Sequence, residues 1–221
     1  MQYKAIIFDL DGTLLDSLAD IAYSVNAVLE RHGFSGHPLQ AYRYYIGDGI
    51  NTLIERACLE PIREGATPAR LVKEFLVEYR LRWHHHTRPY SGVPELLDLL
   101  EGRGVPKAIF SNKPHHFAVL TTEKLLPHWH FAAVQGSLPD QPLKPDPAGA
   151  LAVTRQLGIA PEKCLYLGDT DIDMFTANRA GMYAVGALWG FRPAENLLAG
   201  GARQLVENPL DVAVFFPSTT R

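Results

Sequence analysis

Residues 4–8, Lys4-Ala5-Ile6-Ile7-Phe8, run straight into Asp9-Leu10-Asp11-Gly12-Thr13-Leu14. A run of about five residues with little polar alternation suits a strand buried on both faces of a parallel sheet. Asp9 and Asp11, two positions apart, leave the end of that strand on the same side. Two unpaired carboxylates at the edge of a core are costly, so something must neutralise them. The ordinary alternative is an Asx turn at Asp11-Gly12 that simply closes the strand.

Runs of the same kind recur at residues 106–110 (PKAIF), 131–135 (FAAVQ), 164–168 (CLYLG) and 183–187 (YAVGA). Helical patterns lie between them at residues 94–103, 114–125, 147–157 and 172–180, three with proline at or near the first turn. The alternation predicts an α/β fold, a doubly wound, mostly parallel sheet with helices on both faces. The rhythm breaks once. Residues 17–88 hold no convincing strand, while Leu18, Ile21, Ala22, Val25, Val28 and Leu29 repeat with a helical period before Gly33. Further helical patterns follow at residues 51–59 and 68–86. The expected division is a sheet domain of residues 1–15 and 90–221, carrying an inserted all-helical domain of residues 16–89. Ligands of doubly wound sheets bind outside the carboxyl ends of the strands, so an insertion leaving the first strand reads as a lid, with a structural appendage as the alternative.

The remaining strand ends carry chemistry as well. Ser111-Asn112-Lys113-Pro114 places a hydroxyl and an amide just ahead of a helix, where an anion is stabilised, although helix capping alone would use the same residues. Gly168-Asp169-Thr170-Asp171-Ile172-Asp173 clusters carboxylates, and Asp169 and Asp173 lie one helical turn apart. An all-oxygen cluster without His or Cys suits a hard cation, Mg²⁺ rather than zinc. Lys144, in Leu-Lys-Pro-Asp-Pro, precedes a helix and can reach the same edge; otherwise it is a solvated lysine. Four such features at the strand ends of one sheet amount to phosphoryl-transfer apparatus.

Composition excludes other classes. The 221 residues, 47% apolar, allow one domain with a modest insertion and an ample core. A net charge of −3 gives no general electrostatic case for nucleic acid or an anionic membrane as partner. Cys58 and Cys164 are too few for a disulfide framework and match no metal spacing. Asp9 and Asp11 interrupt any apolar targeting segment, and no run approaches the ~18 apolar residues of a membrane span, so the cytoplasm is the expected compartment. His84-His85-His86 point about 100° apart on a helix and read as an exposed helix end; His115, His116, His128 and His130 read the same way. Tyr42, Tyr44 and Tyr45 read as core of the helical insertion rather than a stacking platform.

Asp9-Leu10-Asp11-Gly12-Thr13, Ser111-Asn112, Lys144-Pro145 and Gly168-Asp169 with Asp173 resemble, in order and spacing, the four motifs of the haloacid dehalogenase superfamily, in its phosphatase branch. The insertion looks like that family's C1-type cap. Within the superfamily the chain is similar to the phosphoglycolate phosphatases, through Leu15-Asp16-Ser17, Tyr45-Ile46-Gly47-Asp48-Gly49 with Leu53 and Arg56-Ala57, and Arg88-Pro89-Tyr90-Ser91-Gly92-Val93. Ser91 stands where that family commonly has proline. The resemblance implies that Asp9 attacks phosphorus and that Asp11 donates, then accepts, a proton. Mg²⁺ would be held by Asp9, the Asp11 main-chain carbonyl and Asp169, with Asp173 supporting it or anchoring Lys144. Ser111, Asn112 and main-chain amides near Gly12 and Thr13 would hold the phosphoryl oxygens, while Lys144 counters their charge. The Gly47-Asp48-Gly49 turn is either the cap's specificity element or a plain helix connection. The implied partner is a small phosphorylated metabolite, most simply 2-phosphoglycolate, with no nucleic acid or membrane, for a monomer or homodimer. Rival readings are a pyrophosphatase, a phosphosugar phosphatase or mutase, and a non-catalytic binding module.

Overall fold

The computed structural model describes residues 3–58 and 67–218. Strand β1 (Ala5–Phe8) is fully buried and lies inside a six-stranded sheet. Its partners are β4 (Lys107–Pro114) and β6 (Cys164–Gly168); β5 (Ala133–Ser137) extends one side, and β7 (Tyr183–Ala187) and β8 (Gln204–Val206) the other. Every pairing in this sheet is parallel, with Phe8 opposite both Ile109 and Leu167. The alternating side chains of β1 explain why the run is apolar throughout. Ile6 and Phe8 enter the core on one face, and Ala5 and Ile7 that on the other.

Helices α5 (Val93–Gly102), α6 (His115–Leu125), α7 (Ala148–Leu157) and α8 (Asp171–Arg179) fall within a residue of the expected segments. β4 runs four residues past the expected end at 110, which carries Ser111, Asn112 and Lys113 on the strand itself. β8 and helix α9 (Ala194–Ala199) lie beyond the last expected element.

Between β1 and β4 stand α1 (Leu18–Arg31), α2 (Tyr42–Tyr45), α3 (Ile50–Ala57) and α4 (Pro68–Arg82). They share a separate apolar cluster, which Phe117 and Phe191 from the sheet side join. The helix expected over residues 51–59 spans Ile50–Ala57, and its expected last residue lies outside the described ones. α4 stops at Arg82, so His84–His86 are exposed but not helical. The two chain crossings between sheet and helices are stapled by a short antiparallel pair, β2 (Leu15–Asp16) with β3 (Arg88–Pro89). Asp20 of α1 reinforces this junction. Its buried carboxylate accepts hydrogen bonds from the His86 and Thr87 amides (3.0 and 2.9 Å) and the Thr87 hydroxyl (2.7 Å), with the His86 ring at 2.8 Å. Burial alone would raise the Asp20 carboxyl, but these bonds prevail and hold it below its ordinary value.

Candidate active site

The carboxyl ends of β1, β4 and β6 converge under the helical insertion. Asp9, Asp169 and Asp173 are all buried, each with an oxygen within 4.8 Å of the others. Against these three carboxylates stands, among the described residues, one ammonium, Lys144, 2.6 Å from Asp173 Oδ1 and 2.9 Å from Asp9 Oδ1. The approach to Asp9 lacks hydrogen-bond alignment, so Asp9 Oδ1 is a buried oxygen with no hydrogen bond. Burial pushes Asp9 up to about 6 against the opposing pull of Lys144. Asp169 goes up to about 8, through burial and the negative charge of Asp173 and Asp9. Burial would lower Lys144, but Asp173 and Asp9 hold its ammonium well above the ordinary value.

The three carboxylates are occupied differently. Asp173 spends Oδ2 on the amide and hydroxyl of Thr170 (3.1 and 2.7 Å), closing a capping box at the start of α8, and Oδ1 on Lys144 and the Tyr166 hydroxyl. Asp169 accepts from the Thr13 hydroxyl (2.7 Å) and the Phe191 amide (2.8 Å). A surplus of buried negative charge, an unbonded carboxylate oxygen and an all-oxygen donor set fit a hard divalent cation between Asp9 and Asp169.

Gly12 and Thr13 do not form the expected phosphate cradle. The Gly12 amide donates to the Leu15 carbonyl (2.8 Å) and the Thr13 amide to the Leu10 carbonyl (3.4 Å), because the chain turns back on itself to enter β2. Gly12 serves by its lack of a side chain. At φ 90° it lies so close that a methyl group would overlap the Asp169 carboxylate. Asn112 likewise spends its amide on the Gly47 and Lys144 carbonyls (2.9 and 3.2 Å) and accepts from the Lys144 amide (2.8 Å), tying the Lys144 loop to the helical insertion. The Ser111 hydroxyl accepts a long bond from the Lys113 amide (3.3 Å) and faces the cavity.

That cavity is bounded below by Asp9, Asp11, Ser111 and Lys144 and above by apolar side chains of the insertion, among them Ile21, Leu53 and Phe75. Gly47 and Gly49 line it, while the Asp48 carboxylate turns aside to Arg56 (2.5 Å). Asp11 does not join the buried triad. Lys113 Nζ donates to both of its oxygens at 2.9 Å and to the Tyr79 hydroxyl of α4 at 2.7 Å.

Two groups of residues escaped the sequence reading. Lys113 was in view only as a neighbour of Ser111 and Asn112. The loop after β7 offered no motif, yet Phe191 holds Asp169 and the Trp189 indole N–H donates to the Thr13 carbonyl (2.9 Å). Across this loop two arginines bind in opposite directions. Arg43 of α2 donates to the Gly190 and Phe191 carbonyls, and Arg192 donates to those of Tyr44 and Ile46 (3.3 and 3.0 Å). The usable signal was position, since β7 pairs with β6 and its end must lie beside Asp169.

This arrangement is that of a hydrolase built on a doubly wound sheet, and the chain belongs to the haloacid dehalogenase-like hydrolase family, whose model matches residues 6–187. By class the enzyme is a phosphoric monoester hydrolase. The chain is 34% identical over 207 residues to a phosphoglycolate phosphatase of Xanthomonas campestris pv. campestris (strain 8004), covering 93% of each. It is 33% identical over 188 residues to a phosphoglycolate phosphatase of Aquifex aeolicus (strain VF5), covering 85% of this chain and 86% of that one. Its fold is similar to the crystal structure of a predicted phosphoglycolate phosphatase from Haemophilus somnus 129PT, with a TM-score of 0.88 and 28% identity over 97% of this chain and 98% of the other. Among the described residues no helix is long and apolar enough to cross a membrane.

Proposed function

We propose that the protein is a Mg²⁺-dependent phosphatase that hydrolyses 2-phosphoglycolate through an aspartyl-phosphate on Asp9. In this reading residues 16–89 are a cap over a catalytic domain of residues 1–15 and 90–221. The observation that carries the proposal is the Asp9 carboxylate, which lines the same cavity as Asp11, Ser111 and Lys144 and whose buried Oδ1 makes no hydrogen bond. A carboxylate held by an ion pair to Lys144 but tied down by no hydrogen bond on that oxygen is available as a nucleophile.

In the first step an Asp9 oxygen bonds to phosphorus as the ester oxygen leaves, and Asp11 supplies that oxygen's proton. In the second, water attacks the phosphorus of the acyl phosphate, Asp11 takes the water's proton, and Asp9 is released with phosphate. Ser111 and Lys144 hold the phosphoryl oxygens, and Asp173 keeps Lys144 aimed at them. Asp9, Asp169 and the Asp11 carbonyl would hold Mg²⁺, which when bound offsets the repulsion between a carboxylate and a phosphate dianion. The relatives' names favour 2-phosphoglycolate as the substrate. The two free cysteines, Cys58 and Cys164, accord with a reducing compartment, the cytoplasm.

The test is phosphate release from a panel of small phosphomonoesters and pyrophosphate, with Mg²⁺ and with EDTA, for wild type and Asp9→Asn. Metal-dependent release with 2-phosphoglycolate preferred, reduced at least about 1,000-fold in Asp9→Asn, is the expected result. Undiminished release by Asp9→Asn would refute the covalent route. A preference for pyrophosphate or a sugar phosphate would refute the substrate.

A further inference from the structure

Among the described residues the cavity has two cationic side chains, and only one of them is paired with the buried triad. Lys144 is committed to Asp9 and Asp173. Lys113 lies beyond Asp11, buried, with its ammonium over the Tyr79 ring at 4.8 Å from the centroid and apolar walls of Ile21, Phe75 and Phe117 around the same space. Two of its three N–H groups go to one carboxylate, one to each Asp11 oxygen, and the third to the Tyr79 hydroxyl. This doubled bond is the arrangement that an entering anion can share at least expense. One N–H can move to the newcomer while Asp11 keeps the other and Tyr79 holds the ammonium in place. A leaving group that carries a carboxylate needs such a cation, because an unpaired carboxylate among these apolar side chains would be strongly disfavoured.

We propose that Lys113 is the specificity-determining residue of this enzyme, taking up the carboxylate of the substrate's leaving group by giving up one of its two bonds to Asp11. The inference rests on the reading of the substrate as 2-phosphoglycolate and adds the residue that would select it. It also assigns Tyr79 a positioning role from the cap, since the Tyr79 hydroxyl fixes the ammonium that the substrate meets. No bond to carbon or phosphorus changes in this step; one hydrogen bond is exchanged for another. The exchange frees an Asp11 oxygen on the side where the leaving group lies, so a substrate with a carboxylate would unlock the residue that protonates it. A substrate without one would leave both Asp11 oxygens engaged.

The test compares 2-phosphoglycolate with ethyl phosphate, which has the same two-carbon length and no carboxylate, in wild type, Lys113→Met and Lys113→Arg. The expected result is that Lys113→Met loses about 100-fold in kcat/KM for 2-phosphoglycolate, the scale of one charge-assisted hydrogen bond, and less than about tenfold for ethyl phosphate. Lys113→Arg, which keeps the charge, should restore most of the preference. Equal losses on both substrates would overturn the proposal and leave Lys113 a partner of Asp11 alone. Thermal melts establish that each variant is folded. If Lys113→Met is not, wild type gives the second reading: glycolate should inhibit ethyl phosphate turnover at least about tenfold more strongly than ethylene glycol, and equal inhibition would overturn the proposal. Failure of the substrate reading is separately visible, as a wild type that does not prefer 2-phosphoglycolate at all.

Discussion

Lys144→Met tests whether the buried charges of the site form one unit. The substitution keeps the length of the side chain and removes the one cation, among the described residues, that touches Asp9 and Asp173, whose side chains are 9% and 0% exposed. Asp9 and Asp173 then share a buried space with Asp169 and, among the described residues, have no ion-pair partner. Removing one partner of a buried pair costs about 3–5 kcal/mol, out of a total stability of roughly 5–15 kcal/mol. The expected loss in EDTA, read as the midpoint of urea unfolding at constant slope, lies in that range. The deficit should also depend on pH in a definite direction. Asp9 and Asp169 have folded values of about 6 and 8 with Lys144 present, above the ordinary ~3.9. Groups raised on folding bind more protons folded than unfolded, so their contribution worsens as pH rises from about 4 through the folded values. Without Lys144 the carboxyls rise further, and the gap between variant and wild type should be wider at pH 8 than at pH 5. Saturating Mg²⁺ should recover part of it, about 2.7 kcal/mol at one hundred times its dissociation constant if the unfolded chain does not bind the ion. A loss below about 1 kcal/mol in EDTA at pH 8, or a gap that narrows as pH rises, would refute the reasoning.

Gly12→Ala combines a left-handed backbone, about 1–2 kcal/mol for a non-glycine residue, with overlap on the Asp169 carboxylate; it should lose at least about 100-fold in phosphate release. Gly104→Ala is its control, since Gly104 shares a positive φ of 63° but has open space around it, and it should lose only the backbone contribution and keep activity. Asp20→Asn should cost about 2 kcal/mol in urea unfolding at pH 7, where the carboxylate accepts three protein hydrogen bonds or more. Because the Asp20 carboxyl is lowered on folding, its contribution is present above the ordinary carboxyl range and fades as pH falls through the lower folded value, so the two proteins should converge as the pH is taken down through it.

The fold was legible because its strands are buried on both faces. Residues 5–8, 108–110, 164–168 and 183–187 are apolar throughout, and the carboxylates, hydroxyl and amide fall just where the first three of these runs end. β2 and β3 were illegible for the opposite reason. Two residues have no period, and their partner lies some seventy positions away, so only the folded chain pairs Leu15 with Pro89. Composition at a strand end also does not say which group a donor serves. Gly12, Thr13 and Asn112 were found as site residues, but their donors are spent on Leu15, Leu10, Gly47 and Lys144. Lys113 was hidden by its neighbours, and Phe191 and Arg192 by the order of the sheet, which brings the end of β7 beside that of β6.

The contacts that join the helical insertion to the sheet explain why a mobile cap would matter to chemistry carried entirely by the sheet. Asn112 binds the Gly47 carbonyl of the insertion and also both backbone groups of Lys144. Lys113 binds Tyr79 of the insertion and also both oxygens of Asp11. Arg192, bonded to the Tyr44 and Ile46 carbonyls, follows the residue whose amide holds Asp169. These three residues, which tie the insertion to the sheet, thus lie against Lys144, Asp11 or Asp169 as well. Lifting the insertion would remove one bond from Asn112, one from Lys113 and two from Arg192 together. On the proposed reading, a substrate that drew the insertion down would assemble the site by the same contacts, and discrimination would belong to that closed form, where the apolar walls and Lys113 would meet the leaving group.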